Sequence, residues 1–311
     1  MRLWFIGGGP FAARCLEALV RRLPVERVVT GTPTRGGRGM AEIPSRVEER
    51  ALALGLPLER TGPLGKNEPL LTALATEPPD AVLVVDFAQL IREPLLSAPR
   101  WGCLNVHPSL LPRWRGAAPV PRSLMGGDAR TGVTVFRLTP AMDAGPILRQ
   151  AAVEVGVGET ATELYDRLSA LGAEIAAEGL SALESAGDDF ADLFTPQDDA
   201  AASYAAKLER SEFELSWQQT AERADRKVRA LEASGGAFVL VRGKRLKVWR
   251  VTLADGGREG PGTVLALQGG ALVVACASGA LRLEEVQAEG KRRVPAADWA
   301  RGLRLAPGDV L

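Results

Sequence analysis

Hydrophobic positions in the first 180 residues alternate between two periods. Leu3–Ile6, Val25–Thr30, Ala81–Val85 and Gly102–Val106 are short, nearly continuous apolar runs. They are rich in Val, Ile and Leu, which is the signature of strands buried on both faces. Between them, Phe11, Cys15 and Leu19 recur every fourth residue with Ala12 and Leu16 beside them. That spacing predicts an amphipathic helix over Phe11–Arg22. Ser45-Arg46-Val47-Glu48 has capping-box spacing and opens a helix running to about Leu54. A further amphipathic pattern covers Thr160–Glu178 and stops at Gly179. Such strand–helix alternation predicts an α/β domain over residues 1–185, with a mostly parallel sheet and helices on both faces.

From about Ala186 to Ala206 the chain is acidic and short of aliphatic residues, as in Gly187-Asp188-Asp189 and Gln197-Asp198-Asp199. It reads as a linker over 186–206. Beyond it a helix is expected around Gln218–Leu231. Five short β-type runs follow, at Ala237–Val241, Leu246–Leu253, Gly262–Leu267, Ala271–Ala275 and Leu281–Val286. This spacing points to a small OB-like β-barrel domain over 207–311.

Composition and charge refine the picture. Apolar residues make up 46% and charged residues 24%, so the chain can bury a core and is not disordered. No eighteen consecutive residues are apolar, and the N-terminal apolar stretch is too short for a signal peptide, so a cytoplasmic protein without a membrane partner is expected. Cys15, Cys103 and Cys276 lie far apart and form no Cys-x-x-Cys pair, which predicts reduced, mostly buried thiols and no metal site. Residues 1–206 hold 20 basic and 25 acidic side chains of the 38 of each kind, leaving 18 and 13 for residues 207–311. A basic last third suits a polyanionic partner.

The only histidine of the chain, His107, stands in Leu104-Asn105-Val106-His107-Pro108. On a strand, Asn105 and His107 share a face. Pro108 ends that strand, and ligands of open α/β sheets bind outside the carboxyl ends of strands. An amide and an imidazole therefore converge where a substrate would lie. Asp143 lies in Met142-Asp143-Ala144-Gly145 between two apolar runs. It is either a turn former or, if it meets His107, the group that orients the imidazole and holds it protonated. Arg113 and Arg115 flank Trp114 on a loop suited to phosphates or a stacked base. Arg35 and Arg38 lie on a glycine-rich loop able to reach a nucleic-acid backbone. Gly7-Gly8-Gly9-Pro10-Phe11-Ala12 mimics a dinucleotide fingerprint, but a proline interrupts it and Thr30, not an acid, ends the second strand.

Taken together, these residues resemble the methionyl-tRNA formyltransferase family. The densest likeness runs from Asn105 through Pro119, then Thr131-Gly132-Val133-Thr134 and Met142 through Gly145. Phe11-Ala12-Ala13-Arg14, Gly37-Arg38-Gly39, Tyr204-Ala205-Ala206-Lys207-Leu208 and Lys247-Val248-Trp249 add to it. The resemblance implies a Rossmann-like formyltransferase domain that uses 10-formyltetrahydrofolate without a metal, followed by an OB-like domain that helps hold tRNA. It implies a monomer that formylates the amino group of methionyl initiator tRNA. Asn105, His107 and Asp143 would be catalytic, with Asn105 and a protonated His107 donating to the oxyanion and Asp143 accepting the amine proton. Val85, Asp86, Phe87, Ala88 and Leu90 would line the folate pocket with Ser109, Leu110, Leu111 and Pro112. Arg35, Arg38, Arg113, Arg115, Lys207, Lys244 and Lys247 would meet tRNA. The chain departs from the family pattern at Gly8-Gly9-Pro10-Phe11, at Phe87-Ala88, at Met40-Ala41-Glu42 after the basic loop, and at Glu232 through Ala237. Rival functions are formyl transfer to a nucleotide-linked amino sugar or to glycinamide ribotide, a non-catalytic nucleic-acid-binding protein, and an NAD-dependent oxidoreductase.

Overall fold

The structure is a computed structural model. It describes residues 1–36 and 40–311. The chain divides into two compact units. The first comprises Met1–Pro119, Arg130–Glu154 and Tyr165–Ala205; the second comprises Val120–Ala129, Val155–Leu164 and Ala206–Leu311.

The first unit holds β1 (Leu3–Gly7), β2 (Arg27–Gly31), a short hairpin of β3 (Thr34–Gly36) and β4 (Ala41–Ile43), β5 (Leu58–Thr61), β6 (Ala81–Val85) and β7 (Cys103–His107); β1, β2, β6 and β7 are the expected strands, whereas the hairpin and β5 were not expected. A two-residue β8 (Arg115–Gly116), β9 (Arg130–Arg137) and β10 (Ile147–Glu154) follow. Seven of these make one sheet in the order β10-β9-β7-β6-β1-β2-β5. Its β5-to-β7 half is parallel, and β9 and β10 continue it with antiparallel pairings, β9 on β7 and β10 on β9. Every residue of β1 and β6 is buried, as their unbroken apolar runs require.

Helices cover this sheet. α1 (Pro10–Leu19) starts with proline in its first turn and buries Phe11, Cys15 and Leu19. α2 (Arg46–Ala53) is capped by Ser45, whose hydroxyl accepts from the Glu48 N–H at 3.0 Å. α3 (Glu68–Thr76), which the periodicity did not single out, is capped by Asn67. α4 (Pro119–Gly126), which precedes β9 in the chain, belongs from Val120 on to the second unit, and α5 (Ala161–Ala186), which follows β10, enters the first unit at Tyr165.

Gly179 does not end α5. A Cβ there would lie 2.8 Å from Leu148 Cδ2, and one at Gly172 would lie 2.7 Å from Val106 Cγ1. The two glycines are where the helix presses against the sheet, so their small size serves close approach and not a cap. Nor does the 186–206 stretch behave as a free connector. Thr195 and Ile147 exchange backbone hydrogen bonds of 2.7 and 2.8 Å, Phe194 is buried, and β11 (Tyr204–Ala205) pairs in parallel with β8. Backbone pairing holds this segment down, which its acidic composition does not reveal.

The second unit carries α6 (Ala221–Leu231), capped by Thr220. Its sheet has β12 (Ala237–Val241), β13 (Lys244–Ala254), β14 (Val264–Gln268), β15 (Ala271–Ala275), β16 (Ala280–Ala288) and β17 (Val294–Pro295), followed by α7 (Ala296–Gly302). The order is β12-β13-β16-β15-β14, all antiparallel, with β17 on β16. Register shifts in β13 and β14 bend the strands. Val228 and Leu231 of α6 join Val248, Leu272, Leu281 and Leu283 in one core. Among the described residues no helix is long and apolar enough to cross a membrane.

Candidate active site

β7 positions the first two residues. Leu104 and Val106 face away from Asn105 and His107, and Val106 packs at Gly172 of α5. On the opposite face Cys103 joins the core of Trp4, Val82, Val84 and Leu95. Asn105 pairs with Val84 and Phe136, and His107 with Thr134, so both stand at the carboxyl end of β7. Among the described residues nothing hydrogen-bonds the Asn105 side-chain amide, so both its N–H groups are available to a ligand. His107 is 6% exposed, and its ring meets the edge of Phe136. His107 Nε2 lies 2.8 Å from the Trp114 carbonyl oxygen. A carbonyl only accepts, so Nε2 carries a hydrogen and Nδ1 is the position left for chemistry.

Asp143 arrives from the turn between β9 and β10. Its Oδ2 accepts from the Gly116 N–H at 2.8 Å and lies 3.8 Å from His107 Nδ1. That separation exceeds a hydrogen bond. The Trp114 carbonyl therefore orients the imidazole, while Asp143 faces it across a gap. Its Oδ1 has no hydrogen-bond partner among the described residues. Asp86, Trp114 and Asp143 have φ of 45°, 62° and 49°. Left-handed backbone at non-glycine residues tends to gather at functional sites. Gly116 has φ 119°, and a Cβ on it would sit 2.8 Å from the Ala205 carbonyl of β11, so only glycine fits where its N–H meets Asp143.

The loop after His107 is pinned from within. Ser109 Oγ donates to the Arg113 carbonyl at 2.7 Å. Thr134 Oγ1 donates to the Ser109 carbonyl at 2.7 Å and accepts from Leu111 N and from Gln150 Nε2.

Comparison with known proteins gives this arrangement a family. A model described as formyl transferase matches residues 1–180, and one described as formyl transferase, C-terminal domain, matches residues 207–304. The methionyl-tRNA formyltransferase of Thiobacillus denitrificans is 40% identical over 100% of this chain and 99% of its own length. That of Methylobacterium nodulans is 41% identical over 99% and 98%. The chain belongs to the methionyl-tRNA formyltransferase family. Among solved structures, a variant of HypX from Aquifex aeolicus shares the fold at TM-score 0.69 and 20% identity, covering 100% of this chain and 49% of that one. So does the N-formyltransferase from Helicobacter canadensis, solved with folinic acid and dTDP-3-aminofucose, at TM-score 0.65 and 14% identity over 91% and 98%.

Within this member of the formyltransferase family the other expected residues separate. Val85, Ser109 and Leu111 are buried, Phe87, Leu110 and Pro112 are partly buried, and Asp86 and Ala88 are exposed. Leu90 lines an apolar cavity of about 350 Å³ with Leu64, Leu70, Leu71, Leu74 and Leu95. The Asp86 carboxyl lies where a Gly9 Cβ would stand, 1.8 Å from Oδ2, so the departure at Gly9 makes room for the acid. Crowding by protein raises the Asp86 pKa, and burial followed by the Asp86 charge raises that of Tyr165.

Arg115, expected to meet a phosphate, has partners within the chain. It is 4% exposed and bonds Gln197 Oε1 and Asp199 Oδ1. Arg113 is exposed, with its guanidinium 5.7 Å from the Trp114 ring. Arg35 is exposed on the β3–β4 hairpin, while Arg38 lies outside the described residues. In the second unit Lys207 and Lys244 are exposed, and Lys247 stands 5.4 Å from the Trp249 ring. Gln197, Gly116 and Thr134 were missed as site residues. Strand alternation gives Thr134 a face but no role, and the partners of all three residues are set by the fold.

Proposed function

We propose that the chain transfers the formyl group of 10-formyltetrahydrofolate to the free amino group of methionine carried on initiator tRNA. The convergence of Asn105, His107 and Asp143 at the carboxyl end of β7 carries this reading. Full-length identity near 40% to enzymes of that name favours the tRNA substrate over an amino sugar. The first unit takes the chemistry. The second, with Lys244 and Lys247 and with the Arg293 guanidinium 3.5 Å over Trp249, takes the RNA.

In the reaction the amine nitrogen bonds the formyl carbon, and the carbonyl electrons move to oxygen. The free N–H of Asn105 and, in protonated His107, the Nδ1–H donate to that oxyanion. Asp143 Oδ1 accepts the proton that the amine loses. Collapse breaks the bond from carbon to the folate nitrogen, which takes up the proton that Asp143 received and so returns the carboxylate to its starting state. Gly116 N–H and the Trp114 carbonyl hold Asp143 and His107 in place throughout.

The test combines purified protein, 10-formyltetrahydrofolate and methionyl initiator tRNA, with His107→Ala as the control. Wild type should form formylmethionyl-tRNA, and the variant should lose about 10²–10³-fold or more in kcat while staying folded. A variant within a few fold of wild type removes His107 from the mechanism. Formylation of a nucleotide-linked amino sugar in place of tRNA overturns the substrate.

A further inference from the structure

Gln197 lies in the acidic stretch that composition marked as a connector, yet its side chain is completely used. Its Nε2 donates to the carbonyl oxygens of Asp143 at 2.8 Å and Gly145 at 2.7 Å. Its Oε1 accepts from Arg115 Nε at 3.1 Å and Nη2 at 2.8 Å. A primary amide has two hydrogens and two lone pairs, and here each has a partner. Arg115 is itself buried and is held by Asp199 Oδ1 at 2.7 Å.

The turn that Gln197 grips is also held by the Gly116 N–H on Asp143 Oδ2 at 2.8 Å and by its own backbone bonds, Ala144 N–H to the Ala141 carbonyl at 3.4 Å and Arg137 N–H to the Pro146 carbonyl at 2.9 Å. Ala141 and Met142 are exposed, and Asp143 adopts φ 49°. Gly145 is pressed so closely on the Arg137 carbonyl that a Cβ would come within 1.8 Å of that oxygen. Gly145 is thus fixed by close packing and by the Gln197 amide, and Asp143 by the same amide through its carbonyl and by the Gly116 N–H through its carboxylate.

We propose that Gln197, clamped by Arg115, is a positioning residue that locks the Asp143–Gly145 turn so that the Asp143 carboxylate faces His107. The inference rests on the reading of Asp143 as part of the formyl-transfer centre. A glutamine suits the task because it reads two backbone carbonyls and a guanidinium at once. Arg115 is the far anchor of this relay.

Gln197→Glu in the full chain tests it. Glutamate keeps the volume and the acceptor for Arg115 but removes the hydrogens offered to the two carbonyls. With methionyl initiator tRNA and 10-formyltetrahydrofolate, kcat should fall on the order of 10–100-fold, the size expected for a misplaced catalytic group. KM for both substrates should stay within about twofold, because only transition-state contacts are lost. In an Asp143→Asn background the same change should cost less than about twofold, since residues acting as one unit are not additive. Gln197→Asn, one methylene short, supplies the same comparison if the glutamate variant does not fold. Unchanged kcat in a folded variant overturns the proposal. So does a loss confined to KM, or one that multiplies fully with Asp143→Asn. Absence of formyl transfer by wild type would instead sink the reading of the site itself.

Discussion

Gly172→Ala should weaken the first unit although alanine is the better helix former. Gly172 is interior to α5, so alanine gains roughly 1 kcal/mol of helix propensity. A buried methyl adds about 0.8 kcal/mol of transfer energy. Against this, the new Cβ would lie 2.7 Å from Val106 Cγ1 and 3.2 Å from Val133 Cγ1. Carbon atoms pack best at about 3.5–4.0 Å, so nearly 1 Å must be found. Both valines are buried, and β-branched side chains are stiff at χ1, so the shift falls on α5 or β7. Overpacking of this kind costs about 1–3 kcal/mol, and a rigid site belongs at the upper end, leaving a net loss of about 1 kcal/mol. Because Val106 sits between Asn105 and His107, kcat should also drop several-fold. Hydrogen–deuterium exchange of the β7 and α5 amides reads the stability locally, which matters because two units need not unfold as one. Gly179→Ala is the control. Its nearest neighbour is Leu148 Cδ2, the rotatable end of a leucine, so the outcome should lie near neutral. Slower exchange in Gly172→Ala together with unchanged kcat would refute the packing argument.

Three further outcomes follow from the geometry. The single histidine gives one imidazole signal, and ¹⁵N spectra of the neutral form should show hydrogen on Nε2; the Nδ1–H tautomer would contradict the bond to Trp114. Crowding raises the Asp86 pKa above its usual 3.8, so the folded state binds that proton more tightly than the unfolded chain, and stability falls as pH rises from the unfolded to the folded pKa. Asp86→Asn should therefore melt above wild type at pH 7 and lose that advantage well below pH 3.8, whereas a more stable wild type at pH 7 would reverse the sign. All three cysteines are free and buried, with Cys15 pushed up to about 12 and Cys276 to about 11, so iodoacetamide should label the folded protein very slowly; rapid labelling would argue against this burial.

The features legible in the amino-acid order are local ones. The runs at Leu3–Ile6 and Ala81–Val85 became fully buried strands because an unbroken apolar run of strand length suits a strand covered on both sides. Ser45 capped its helix through the spacing that predicted it. Asn105 and His107 share the end of β7 because alternation and the stop at Pro108 are properties of a few adjacent residues. Contacts between distant segments needed the fold. Gly179 looked like a helix stop, and only the nearness of Leu148 shows that it is a packing contact. Arg115 looked like a phosphate ligand, and only the fold brings Gln197, 82 residues away, to its guanidinium. The same holds for Asp143, whose Oδ2 meets the N–H of Gly116 at a separation of 27 residues. Side-chain periodicity records which face of an element is dry, but a hydrogen bond from a distant side chain to a backbone carbonyl leaves no mark on either segment's pattern. Such bonds form only once the sheet and its loops have set the distances.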